Sequence, residues 1–297
     1  MSRDKTVVLS GGLGNQLFQF CFAHLLAAQN SGKVTIYAPK SKNGARDFIL
    51  HSLTLRCSHI AGIRLKRSWC IDISFRFRDF VRNRFGDCSD TILERFFYRE
   101  KNTYSYVDGL LSQKYYSGYF QNWQFVFEGL EFFNSELSET VSQQSLPHSQ
   151  QLGSELYGVV HFRRGDLLDY YQSMGVLEDD YFLDAVNLAF IELQKKVKVI
   201  VLTDDKELGA KSFAGVADEV YGPDEIDEWQ GLKIMSGASF VVTSNSTYSW
   251  WGGLLASKNG GAVYIPTPWF LNWTPDPGSA FEYPSFRNVP SKFKIER

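Results

Sequence analysis

The chain has 297 residues, of which 44% are hydrophobic and 22% charged, and its formal net charge is −2. That length accommodates two domains of ordinary size or one large one, and the balance of residues is that of a globular protein. The near-neutral charge gives no reason to expect nucleic acid as a partner. No apolar run reaches the length that spans a bilayer.

In chain order, Thr6 to Leu9 reads as a first strand rather than a signal peptide, because it enters the loop Gly11-Gly-Leu-Gly at once. Asn15 to Ala28 follows as a helix. Its residues Leu17, Phe18, Cys21, Phe22, Leu25 and Leu26 recur at the spacing of one buried face. Gly32 ends it and Val34 to Tyr37 forms the next strand, which completes a βαβ opening. From about residue 41 to 125 the pattern is irregular and rich in arginine and aromatics. The polar stretch from Glu136 to Gly153, with four Gln and Pro147, reads as a helix tail followed by a linker and places a domain boundary near residue 150. An α/β alternation then resumes: strand 157–162, helix 178–194, strand 197–202, a helix from Asp205, strand 218–221, helix 224–237, strand 239–243, helix 247–257 and strand 262–265. The four cysteines (Cys21, Cys57, Cys70, Cys88) have no paired C-x-x-C spacing. Neither a metal site nor a disulfide framework is expected.

Four motifs carry chemistry. His161-Phe-Arg-Arg-Gly-Asp leaves an apolar strand with two adjacent arginines, Arg163 and Arg164. A guanidinium keeps its charge, so a place near the sheet calls for an anion, and a phosphate or pyrophosphate fits two forks. The plain alternative is a surface ion pair. Gly12 and Gly14, with Asn15 and Gln16 beyond them, permit close approach of a ligand at a helix N-terminus; a tight turn explains the same residues. Asp204 and Asp205 end a near-continuous apolar strand, where a carboxylate can accept from guanine, bind a metal or cap the next helix. Ser244, Asn245, Ser246, Thr247 and Tyr248 stand between a strand and a helix that begins with Trp250-Trp-Gly-Gly. Hydroxyls and free N–H groups there suit phosphate oxygens, and the glycines point to tight packing of helix on sheet. Three strand ends thus deliver Arg-Arg, Asp-Asp and Ser-Asn-Ser-Thr toward the carboxyl edge of one parallel sheet. Together they read as a nucleotide-diphosphate site in which arginine does the work of Mg²⁺.

The segments GGLGNQLFQFCFA, SGYFQNWQF, VVHFRRGD, LTDD and SNSTYSWWGGLLA, in this order, resemble the α-1,2-fucosyltransferases of glycosyltransferase family 11. The chain departs from them in Asp166-Leu-Leu-Asp, where many relatives carry Tyr or Phe after the Asp, and in Thr247-Tyr248, where Ser-Phe is usual. The resemblance implies an α/β, GT-B-like pair of Rossmann-type domains facing a cleft, with 1–150 on the acceptor side and 151–297 binding the donor. It implies GDP-fucose as donor, inversion at the anomeric carbon, and no metal or other cofactor. By the same resemblance Arg163 binds the β-phosphate, His161 and Asp204 hold guanine and ribose, and Ser246, Thr247 and Tyr248 hold the phosphates. Asn15 reaches toward the fucose or the acceptor hydroxyl. Asp166 is the candidate base, with Asp169 as runner-up and a salt bridge to Arg164 as the other reading of Asp166. The acceptor implied is a β-galactoside glycan, with a lipid-linked form as one candidate.

Two further expectations concern location. Vertebrate relatives carry an N-terminal membrane anchor that this sequence does not begin with, which argues for the cytoplasm. From Arg64 to Arg84 seven basic residues stand against two acidic ones, and Ile73, Phe77, Phe80 and Val81 share one helical face. That pattern fits peripheral contact with an anionic membrane, or a solvated helix packed on its domain. Alternatives to the enzymatic reading are another fucosyl linkage, a metal-dependent nucleotide enzyme using the two Asp, and a non-catalytic glycan-binding protein.

Overall fold

A computed structural model describes residues 4–29, 33–37, 63–65, 97–99, 115–146, 155–165, 167, 172, 174–272 and 278–294. The chain divides into two compact units, Met1–Thr140 and Val141–Arg297. The basic stretch beyond residue 65, Cys57, Cys70, Cys88, Asp166 and Asp169 lie outside the described residues. Arg64 itself sits in a strand.

Unit 1 is built on a five-stranded, all-parallel sheet. Its strands are β1 (Lys5–Val8), β2 (Val34–Tyr37), β3 (Ile63–Leu65), β4 (Phe97–Arg99) and β5 (Tyr115–Ser117), in the order β3-β2-β1-β5-β4. Helix α1 (Leu13–Gln29) begins two residues before the expected start. It is buried at every position from Leu13 to Leu26 except Asn15, not on one face only. The reason is a second covering element, helix α2 (Trp123–Ser142), of which only the polar tail was expected as helix. Cys21 Sγ meets the Phe125 and Val126 carbonyls of α2 at 3.7 Å, and the Phe22 ring stacks on Phe120 at 3.9 Å between centroids.

Unit 2 carries a six-stranded parallel sheet in the order β11-β10-β9-β6-β7-β8. The strands are β6 (Tyr157–Phe162), β7 (Lys198–Thr203), β8 (Glu219–Tyr221), β9 (Phe240–Val242), β10 (Ala262–Thr267) and β11 (Arg287–Pro290). Numbered within the unit, this is the Rossmann order 3-2-1-4-5-6, with the chain reversing direction of travel between β6 and β9. The helices are α3 (Asp179–Leu193), α4 (Lys206–Ser212), α5 (Glu228–Ser236), α6 (Thr247–Lys258) and α7 (Gly278–Phe281). Both units therefore have the parallel α/β architecture expected of the chain. Strand β11 and helix α7 lie beyond the last element that periodicity revealed.

The core of unit 2 forms where β6, β7 and β9 meet α3: Val160, Phe162, Val199, Val201 and Val242 pack with Tyr181, Phe182 and Ala185, all with at most 1% of their surface exposed. On the opposite side α6 lies close to its neighbours, as its two glycines suggested. A methyl group on Gly253 would come within 2.7 Å of Val263, and one on Gly252 would collide with Met235 of α5. The closest approach in the sheet is at Gly158 of β6, opposite Phe240 of β9, whose ring occupies the space a side chain would take. Gly158→Ala must displace that ring in a close-packed interior and should lower unfolding stability by about 1–3 kcal/mol in urea titration. Restoration of stability by Phe240→Leu in the same chain would confirm the collision as the cause.

Candidate active site

Ligands of open parallel sheets bind outside the carboxyl ends of the strands, at the point where strand order reverses. In unit 2 that point lies between β6 and β9, with β7 on the far side of β6. The loops leaving these three strands carry the arginine, the double-Asp and the serine motifs, and the structure ties them together.

His161, the fifth residue of β6, is 8% exposed, and its Nδ1 lies 2.9 Å from Ser244 Oγ. Burial, helped by the charge of Arg163, lowers its pKa to about 3, so the imidazole is neutral. Arg163 sends Nη1 to Ser246 Oγ at 3.1 Å, across the β6–β9 divide. Ser246 is the N-cap of α6, but its side chain does not cap; it receives the guanidinium instead. A cation and the positive end of a twelve-residue helix thus converge at one edge, an arrangement that favours an anion.

Arg164 behaves differently from its neighbour. Its side chain is 2% exposed, its Nη2 forms an ion pair with Asp179 at 2.7 Å, and its guanidinium lies 3.9 Å from the centroid of the Phe162 ring. The two arginines do not form one clamp: the anion for the Arg164 Nη2 edge is a carboxylate of the fold. Adjacent residues leaving a strand point to opposite sides, which separates them. Asp179, at the first position of α3, is subject to burial, which raises a carboxyl pKa. Hydrogen bonds from Ser212 and Arg164 outweigh that and hold it below the ordinary value.

The double Asp is also divided. Asp204 Oδ1 accepts from the backbone N–H of Arg164 at 2.8 Å, holding the β6 loop against the β7 loop. Gly165 makes this approach possible, since a methyl group there would stand 2.5 Å from Asp204 Oδ2. Asp205 is the N-cap of α4 and accepts from the Leu208 N–H at 3.0 Å, so the capping alternative is the one realised.

In the serine motif, Asn245 is 4% exposed and its Nδ2 donates to the Met174 and Gly175 carbonyls, at 3.2 and 3.1 Å. Tyr248 donates its hydroxyl to the Glu228 carbonyl at 2.8 Å, and its ring lies 5.2 Å from that of His161. Burial raises its pKa, and it serves as a neutral donor. Thr247 is the first residue of α6 and half-buried.

Gly12, Gly14 and Asn15 belong to unit 1. Gly11 takes the left-handed φ of +78° that turns β1 into α1. Gly14 and Asn15 lie in the first turn of the helix, and Asn15 Oδ1 accepts from Gln121 Nε2 at 2.7 Å. Gln19, fully buried, donates to Ser10 Oγ and to the Gly118 carbonyl at 3.1 and 2.7 Å, joining the loops after β1 and β5. Asp179, Gln19 and Gln121 escaped the sequence reading. Gln19 had left a signal, an amide between Phe18 and Phe20 in an apolar helix. Among the described residues, no group of three or more His, Cys, Asp or Glu is placed to hold a metal ion.

The buried histidines have a consequence for pH. His161 is depressed from 6.5 to about 3 and His24, also by burial, to about 4. Unfolding frees both to take up protons, so their stabilisation is complete above pH 6.5 and is lost as pH falls toward these values. Each should add a slope approaching about 1.4 kcal/mol per pH unit below that point. Urea unfolding from pH 7.5 to about 5 should show the decline, reduced in His161→Gln; a flat profile would show that the imidazoles are not buried neutral.

The family model described as Glycosyl transferase family 11 matches residues 4–272. Over 275 residues the chain is 25% identical to an Escherichia coli protein named Alpha-1,2-colitosyltransferase, with 88% of this chain and 91% of that protein covered. It is 24% identical over 288 residues to the O-antigen biosynthesis glycosyltransferase WbnK of Escherichia coli, covering 88% and 93%. The crystal structure of fucosyltransferase NodZ from Bradyrhizobium aligns with 85% of this chain and 94% of its own, at a TM-score of 0.47 and 13% identity. Because the family model runs from before β1 to beyond β10, through both glycine loop and arginine motif, the chain belongs to glycosyl transferase family 11.

Proposed function

We propose that the protein is an inverting galactoside 2-α-L-fucosyltransferase. It would transfer L-fucose from GDP-fucose to the 2-hydroxyl of a terminal β-galactose in a surface glycan of the O-antigen kind. The observation that carries this reading is the Arg163–Ser246 contact at the strand-order reversal of unit 2, with the N-terminus of α6 beside it. As the bond from the anomeric carbon to the β-phosphate oxygen breaks and GDP leaves with the electron pair, negative charge grows on the β-phosphate oxygens. A fixed guanidinium and a helix N-terminus stabilise that charge in proportion to its growth, which lowers the barrier rather than merely tightening binding.

In this reading neutral His161 and Asp204 line the nucleotide side, and Ser246, Thr247 and Tyr248 the phosphate side. Arg163 supplies the charge that a divalent cation supplies elsewhere, so no metal is required. Asp166 is proposed as the base that takes the proton of the attacking hydroxyl, since deprotonation at that oxygen favours inversion by direct displacement. In unit 1 the Gly12–Asn15 turn offers amide groups suited to a sugar hydroxyl. Reaction in the cytoplasm, with peripheral membrane contact through the basic stretch after Arg64, would bring a lipid-linked acceptor within reach; flotation with anionic vesicles tests that contact.

A second reading keeps the mechanism and changes the sugar. The relative named Alpha-1,2-colitosyltransferase favours colitose as the transferred residue, with the same linkage.

Turnover of GDP-fucose with lactose or N-acetyllactosamine, in the presence of EDTA, should yield a 2-linked α-fucosyl product by NMR. Arg163→Ala should lower kcat by about a hundredfold to a thousandfold, as removal of a single charge-stabilising donor does. Transfer from GDP-colitose but not GDP-fucose would establish the second reading. Loss of activity with EDTA would overturn metal independence.

A further inference from the structure

We infer that Arg164 and Asp179 form a positioning pair that sets the direction of Arg163; this rests on the proposed role of Arg163 at the donor phosphate. A single strand exit is held here from several sides. The backbone N–H of Arg164 is fixed by Asp204 of the β7 loop at 2.8 Å. Its side chain folds back, and Nη1 donates to the carbonyl oxygen of Arg163 at 3.2 Å. The Nη2 of the same guanidinium donates to Asp179 Oδ1 at 2.7 Å. The peptide that carries Arg163 is therefore tied, through one buried planar group, to the first turn of α3.

Burial makes the arrangement rigid. The guanidinium lies against Phe162 and, at 5.6 Å, near Phe182 of α3, so it has no room to take another rotamer without exposing an unpaired charge to the core. Asp179 is 38% exposed on its side chain, so that end alone meets solvent. Arg163, by contrast, must keep its fork toward Ser246 and an incoming anion. Rotation of the Arg163 carbonyl swings the Cα–Cβ bond of the same residue, and a side chain of that length turns a small rotation into a displacement of about an ångström at its tip. Misplacement of that size is enough to reduce turnover by up to a hundredfold. The pair thus acts through Arg163 and need not touch the donor.

The chemistry of a guanidinium matters here, because an ammonium cannot donate to the Arg163 carbonyl and to Asp179 in the same fixed plane. Charge retention without the fork is therefore insufficient, and Arg164→Lys is expected to behave like loss of the partner.

The test is a double-mutant cycle on the full chain. Asp179→Asn and Arg164→Lys should each lower kcat/KM for GDP-fucose by about tenfold to a hundredfold. In an Arg163→Ala background, either change should alter kcat/KM by less than about twofold, because there is nothing left to position. Asp179→Glu should recover part of the rate in the presence of Arg163 and none in its absence. Equal losses in both backgrounds would show the pair to be structural only and overturn the inference while leaving the donor site intact. GDP titration of the wild-type chain separates the two levels: no GDP binding overturns the reading of the site itself, and this inference with it.

Discussion

A guanidinium cannot be neutralised under conditions in which the chain stays folded, so the burial of Arg164 at the exit of β6 dictates much of what surrounds it. Its Nη2 faces a carboxylate on α3, its plane lies on the Phe162 ring, and its backbone is held by the next strand's loop. Two of these partners come from other elements, Asp179 from α3 and Asp204 from the β7 loop, and both are thereby fixed relative to β6. A buried ion pair contributes little net stability of its own, because desolvation opposes the attraction. Its effect is to exclude the other arrangements of the same loops.

From that anchor the rest of the edge follows. Gly165 leaves the clearance by which Asp204 reaches the Arg164 N–H. On the other side of β6, neutral His161 pairs with Ser244 and Arg163 with Ser246, so the β9 loop is held by two side chains of the β6 exit. Behind these contacts α6 is pressed against the sheet and α5 through Gly252 and Gly253, with Trp250 and Trp251 fully buried beside them. Packing of that kind positions the N-terminus of α6, and the charge chemistry of the site rests on a helix that has no freedom to shift.

Unit 1 repeats the device with neutral groups. Gln19 joins the loops after β1 and β5, and Gln121 holds Asn15, so amides perform there what ions perform in unit 2. A buried amide carries a smaller desolvation penalty than a charge and needs only hydrogen-bond partners, which backbone carbonyls provide.

The interior strands of unit 2 were legible from sequence alone because parallel strands covered on both faces read as unbroken apolar runs, such as Val199 to Leu202. Strand β5, with Tyr115, Tyr116 and Ser117, is too short to display a period, and of helix α2 only the polar tail was legible, because its start adjoins the irregular aromatic stretch. Residue types also singled out the strand exits that the structure ties together: a pair of arginines, a pair of carboxylates and a run of hydroxyls stand out wherever they occur. What only the tertiary structure decided is the division of labour within each pair. Arg163 and Arg164 are the same residue in sequence, as are Asp204 and Asp205. Strand geometry sends neighbours to opposite sides, and the role of each then depends on what packs there: Ser246 for one arginine and Asp179 for the other, a neighbouring loop for one aspartate and a helix end for the next.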